Sequence, residues 1–221
     1  MAVAYDTSKT IDDYGVTTKT TASFTIAATA NRAAFIALCF TVNVSTVTCS
    51  CGSASGSVIT NTSCNYGTNL YLKGYGCKAP SSGTQTATAS WTTSANVSLG
   101  VIVANGVDQT TTFNNGNNTV PGYVANFNLQ ITSTNGDLTT TVAASESFDA
   151  TFTTNQTLKL SDFACVDIGP GTGTTTHTWT HPGGNDNSAG IGANFIQYAA
   201  AGGDDSSDIG RRQITAMQTQ P

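Results

Sequence analysis

Six cysteines and two histidines are the residues with which this chain could bind a metal, pass protons or form covalent links. The cysteines are Cys39, Cys49, Cys51, Cys64, Cys77 and Cys165, and four of them fall between positions 49 and 77. In an extended strand, residues i and i+2 point to one face about 6 to 7 Å apart, so the stretch "TCSCG" (48–52) presents Cys49 and Cys51 in parallel. A disulfide between those two would be strained, because the bond needs Cβ atoms about 3.8 Å apart. Each is therefore expected to bond elsewhere. Three chemistries are open: disulfides within or between chains, a zinc site built from Cys49, Cys51, Cys64 and Cys77, or inert buried thiols. Structural zinc sites favour C-x2-4-C pairs, which this spacing does not supply. The surrounding segments are rich in Gly, Ser and Asn and offer little apolar surface to bury a thiol against, which favours disulfides closed in an oxidising place.

The histidines give less. On one strand, His177, Trp179 and His181 would share a face, with the two imidazoles about 13 Å apart, too far to hold one metal. They read as polar groups on a strand face or at a turn, and "HPGG" (181–184) reinforces the turn. No G-x-S-x-G elbow, H-E-x-x-H or Walker loop occurs. "GSASG" (52–56) has Ala where an elbow needs its nucleophile, and "GPGTG" (169–173) opens no helix and so makes no phosphate cradle. The single glutamate, Glu146, and the dispersed aspartates offer no acid–base pair for sugar cleavage. "DDSSD" (204–208) lacks the ligand spacing of a calcium loop. The expectation is a chain with no catalytic residues, no metal and no cofactor.

The elements that would position these residues are strands. Charged residues make up 10% of the 221 positions, against about 25% in an ordinary soluble domain. Thr, Ser, Asn and Gly take their place, and the acids are almost all Asp, a turn-former rather than a helix-former. Period-two segments recur between turn signals. In "AAFIALCFTV" (33–42), Ile36, Leu38, Phe40 and Val42 share one face, and Ala33, Phe35, Ala37 and Cys39 the other, as in a central strand. "NLYLKGYG" (69–76), "QTATASWTT" (85–93), "NVSLGVIVAN" (96–105) and "TTTHTWTH" (174–181) behave similarly. In "YVANFNLQIT" (123–132), Tyr123, Ala125, Phe127, Leu129 and Ile131 alternate with polar residues. "DLTTTVAAS" (137–145) follows an Asn-Gly turn. Roughly ten strands at this spacing predict an all-β fold, an antiparallel two-sheet β-sandwich of jelly-roll or Ig-like type over residues 1–199. Residues 200–221 break the pattern and read as a C-terminal extension, either a tail or a docking arm anchored by Ile209, Ile214 and Met217 with Arg211 and Arg212 between them.

Several stretches resemble a β-sandwich family of phage and environmental bacterial proteins. "YLKGYGCKAPSSGTQTATASW" (71–91), "GVDQTT" (106–111), "GDLTTTVAA" (136–144) and "HTWTHPGGNDNSAGIGANFIQYA" (177–199) carry the resemblance, as does the opening "AVAYDTSKT" (2–10), so that it spans about residues 2–199. It implies a virion structural protein on the particle exterior, a capsid decoration or minor capsid protein with neck or collar as neighbours. Partners would then be other virion proteins, such as the major capsid protein, or further copies of this chain in a homo-oligomer or lattice. The cysteines would be stabilising disulfides formed once the particle leaves its host. The net charge of −5 without a basic stripe argues against nucleic acid, and no apolar run reaches the roughly 18 residues of a membrane span. The start "MAVAYDTSKT" shows no signal peptide, so synthesis in the host cytoplasm and residence in the virion are expected. The rival expectation is a tail-fibre or adhesin domain in which Tyr71, Tyr75, Trp91 or Trp179 stack on host glycans.

Overall fold

The strand Ala87–Asn105 (β8) is 19 residues long and hydrogen-bonds to three partners. Ala4–Thr20 (β1) runs antiparallel along most of it. Ala33–Phe40 (β3) pairs with its second half, Phe40 opposite Val97 and Ala33 opposite Ala104. Thr48–Cys51 (β4) pairs with its first half, Cys49 opposite Ala89. The chain continues from β4 into Ala54–Tyr66 (β5) and Leu70–Lys78 (β6), and β6 pairs with β3. These pairings close a ring, β8–β3–β6–β5–β4 and back to β8. The first half of the molecule is thus a five-stranded antiparallel barrel with β1 laid along its outside. The short strands Phe24–Ile26 (β2) and Gly83–Gln85 (β7) pair with each other and add Phe24 and Ile26 to the barrel core. The structure, a computed structural model, describes residues 2–147, 152–161 and 164–199. The expected docking residues Ile209, Arg211, Arg212, Ile214 and Met217 lie outside the described residues.

The alternation in β3 is what makes a barrel with a second layer outside it. Ala34, Ile36, Leu38 and Phe40 point inward against Val97, Leu99, Val101 and Val103 of β8. Phe35, Ala37 and Cys39 point outward with Leu72 and Ile102. All eight residues of β3 are buried, as its two apolar faces require. Inside the barrel Trp91 sets its ring edge against Phe40 at 5.0 Å and donates its indole N–H to Val16 O of β1 at 3.0 Å.

The outward residues pack on a second sheet. It contains Phe113–Val124 (β9), Leu138–Ser145 (β11), Thr157–Leu160 (β13), Ala164–Pro170 (β14) and Asp186–Phe195 (β16), in the order β13-β14-β11-β16-β9. Leu138, Val142, Val166, Ile191 and Phe195 complete the core begun by Phe35, Leu72 and Ile102. A third sheet, Asn126–Thr132 (β10), Thr174–Thr180 (β15) and Thr153–Thr154 (β12), ordered β10-β15-β12, covers the far face. There Phe127, Phe152 and Trp179 meet Ala143 and Cys165, with Phe152 edge-on to Trp179 at 6.1 Å. The central strand β11 is therefore covered on both sides, and all eight of its residues are buried.

The all-β expectation holds, while the architecture differs from one two-sheet sandwich of roughly ten strands. Sixteen strands lie among the described residues, and the first half closes into a barrel. The difference comes from 52–66, where Gly, Ser and Asn suggest loops but β5 links β4 to β6 and completes the ring. Small residues permit its tight wall: a Cβ on Gly56 would stand 2.3 Å from Cys49 Sγ, and one on Gly76 2.5 Å from the Phe113 ring. β1 was not foreseen as a strand because polar and charged residues interrupt its apolar ones. Asp6, Lys9, Asp12, Asp13 and Lys19 on this one-sided strand discourage further edge pairing. The segment 123–132 divides at Ala125 into β9 and β10, which leaves Tyr123 67% exposed rather than in the core.

Leu38 is fully buried inside the ring. Leu38→Ala is expected to cost about 2–5 kcal/mol in urea unfolding, whereas Val58→Thr at an exposed position is expected to stay within about 0.5 kcal/mol.

Candidate functional site

The cysteines occupy two sides of the barrel wall. Cys49, Cys51 and Cys77 point into the barrel core, and Cys49 and Cys51 do share a face as strand geometry demands. Cys39 and Cys64 pair with Leu72 from its two sides and face the layer between barrel and second sheet. Cys165 lies beneath Trp179 in the third core. All six are free thiols, five buried and Cys64 half-buried. The expected disulfide staples are therefore not formed within the chain, and the zinc set is not assembled, because Cys64 faces away from the other three. Among the described residues no group of three or more His, Cys, Asp or Glu could hold a metal. The reason is again the barrel: each cysteine lies on a strand face turned toward one of the three cores.

Burial raises the Cys51 and Cys64 thiols to about 12 and the Cys39 thiol above its usual value as well. Cys77 is raised first by its hydrogen bond with Cys49 and then by burial. A raised thiol carries less thiolate, the reactive form, at any pH below its own value. A disulfide-exchange reagent at pH 8 is expected to leave the native thiols unreacted and to count all six after denaturation.

The second constellation lies between the second and third sheets. Asp167 on β14 sits opposite Thr141 of β11, facing the third sheet, and His177 on β15 faces back toward it. His177 Nδ1 is 2.8 Å from Asp167 Oδ1, and both side chains are completely buried. Asp167 Oδ1 also accepts Thr141 Oγ1 at 2.7 Å and the Thr141 amide at 3.2 Å, while Oδ2 accepts Thr154 Oγ1 at 2.6 Å. Oδ1 thus meets His177 and both Thr141 groups while Oδ2 meets Thr154, so each carboxylate oxygen of Asp167 has a partner inside the protein. The network continues outward. Trp179 donates its indole N–H to Thr141 Oγ1 at 2.9 Å, His177 Nε2 is 3.0 Å from Thr139 Oγ1, and Thr139 donates to Gly169 O at 2.9 Å. His177 Nε2 and Gly169 O both lie within hydrogen-bonding distance of Thr139 Oγ1, so the single hydroxyl proton has two places to go.

Sequence reading missed this pairing and assigned His177 to a polar strand surface. The available signal was an aspartate in the apolar run "ACVDIG" (164–169), since an isolated buried carboxylate demands donors. His181 does occupy the expected turn: its carbonyl accepts the Gly184 amide, and its ring packs against Phe152 at 5.4 Å. Asp167→Asn, which turns one carboxylate oxygen into a donor facing other donors, is expected to cost about 3–5 kcal/mol in denaturant unfolding.

The "GVDQTT" motif is a structural joint between the two halves. Val107 is buried and bridges Gln197, Asp108 Oδ1 accepts the Thr110 and Thr111 amides at 2.6 and 2.8 Å, and Gln109 donates to Arg32 O at 3.0 Å. Those two amides hold the Asp108 carboxyl below its usual range. Of the aromatics that could have stacked on sugars, Tyr75, Trp91 and Trp179 are in the core and Tyr71 is half-buried. The outer face of the third sheet is paved instead with Asn126, Asn128, Gln130 and Thr132 of β10, opposite Thr180, Thr178, Thr176 and Thr174 of β15. The sequence matches no protein-family model and no curated protein significantly.

Proposed function

We propose that the chain is a structural subunit on the exterior of a phage particle, a capsid decoration or minor capsid protein, with neck or collar as the neighbouring possibilities. The observation that carries this reading is where the reactive side chains lie. The thiols and the His177–Asp167 pair are built into cores or joints, while the surface offers uncharged Thr, Asn and Gln on a sheet face and a long one-sided strand. Such a body suits repeated weak placement on a lattice, where multivalency raises effective affinity without a strong single contact. The resemblance of residues 2–199 to phage and environmental β-sandwich proteins points the same way. Disulfides within the chain have no part in this reading, since all six thiols are free.

The second reading is a tail-fibre or adhesin domain for host glycans. The amide- and hydroxyl-bearing face of β10 and β15 favours it, and the burial of Tyr75, Trp91 and Trp179 removes the stacking platforms it relied on. Antibody labelling of intact particles, read by electron microscopy, separates the two. Labels distributed over the shell or collar are expected. Labels confined to fibre tips, with glycan-array binding by the purified chain, favour the second reading, and absence from purified particles removes both.

A further inference from the structure

The buried relay ends on an amide. Gln156 lies in the short connection between β12 and β13, held by its own amide N–H to Thr154 Oγ1 at 3.1 Å and by its side-chain Nε2 to Thr176 O at 3.1 Å. Thr154 in turn donates to Asp167, so the glutamine is positioned by the same carboxylate that orients His177. Gly169 stands opposite Thr139 in the sheet. A Cβ there would be 2.6 Å from Gln156 Oε1, 3.0 Å from Gln156 Cδ and 3.1 Å from Thr139 Oγ1. The carbonyl carbon of the amide and the threonine hydroxyl therefore flank one space that any side chain at 169 would fill.

We propose that Thr139 and Gln156 condense into an intramolecular ester, with His177 as the proton carrier and Asp167 as its orienting partner. A hydroxyl, an imidazole and a carboxylate in hydrogen-bonded sequence are the parts that activate an alcohol for acyl transfer, and they are recognised by role rather than by fold. The Thr139 hydroxyl turns its proton from Gly169 O to His177 Nε2. Its oxygen forms a bond to Gln156 Cδ, giving a tetrahedral carbon. His177 then passes the proton to the departing amide nitrogen, the Cδ–Nε2 bond breaks, and ammonia leaves. One hydroxyl and one primary amide become one ester and one ammonia, with no oxidant, reductant or activating reagent. Gln156 is half-buried, which gives ammonia a way out, and Thr139 is fully buried, which keeps water from the ester. The product ties β11 covalently to the connection between the second and third sheets. This inference does not depend on where the protein works.

The test is the intact mass of the purified, folded full chain, followed by peptide mapping under mildly acidic conditions that preserve esters. The expected result is a chain lighter by one ammonia, with the Thr139 peptide joined to the Gln156 peptide, and separation of the two after mild alkaline treatment. Thr139→Val, nearly isosteric, and Gln156→Ala, in a connection, are each expected to return the mass to that of the unlinked sequence while remaining folded by circular dichroism. His177→Ala is expected to do the same where it folds. Unlinked mass in the wild-type chain overturns the proposal. So does an ammonia loss that maps to an Asn-Gly succinimide with a linear Thr139 peptide. A branch from Thr139 to Asn194, its cross-strand neighbour on β16, whose buried Oδ1 accepts no hydrogen bond, overturns the assignment to Gln156.

Discussion

The structure turns on a pair of strands with no wet face. β11 and β14 are covered by the barrel on one side and by the third sheet on the other, so a polar group on either strand must find its partner inside the protein. Thr139, Thr140, Thr141 and Asp167 are all fully buried, and each is met: the three hydroxyls reach β14 carbonyl or carboxylate oxygens, and Asp167 collects donors from β11, β12 and β15. The polar interior is thus a set of bonds between layers. It fixes how the third sheet sits on the second more narrowly than the apolar contacts of Phe127 and Trp179 could, because a hydrogen bond is lost within a few tenths of an ångström whereas dispersion declines gradually.

Much of the fold could be read from residue order, and the limits of that reading have physical causes. β3 and β11 were legible because long apolar or Thr/Val/Ala alternation leaves few alternatives to a buried strand. β4 was legible as an extended stretch around Cys49 and Cys51, whereas β5 was not, because Gly and Ser are turn-formers by local preference and enter strands here only where a narrow ring cannot hold larger side chains. Barrel closure is a pairing between β4 and the start of β8, distant in sequence, and no local pattern announces it. The turn at Asn-Gly before β11 and the turn after His181 were legible for the opposite reason, since both are set within a few residues.

Of the candidate site, the cysteines were found by counting and misread by context. Their fate follows from which side of a strand each one occupies, and that depends on a register that tertiary pairing decides. The relay was harder. Asp167 and His177 lie on strands of different sheets, and Gln156 joins them from a connection whose composition is ordinary. Only the stacking of the second and third sheets makes neighbours of them.

β8 has a mechanical meaning. One unbroken backbone carries the hydrogen bonds of β1 along its length, of β4 at its start and of β3 at its end. It acts as a spar. Tension that reaches the molecule through any of these three strands is shared among the others along covalent bonds, rather than through side-chain contacts that would creep. A load applied at any one of these strands would therefore deform the barrel as one piece.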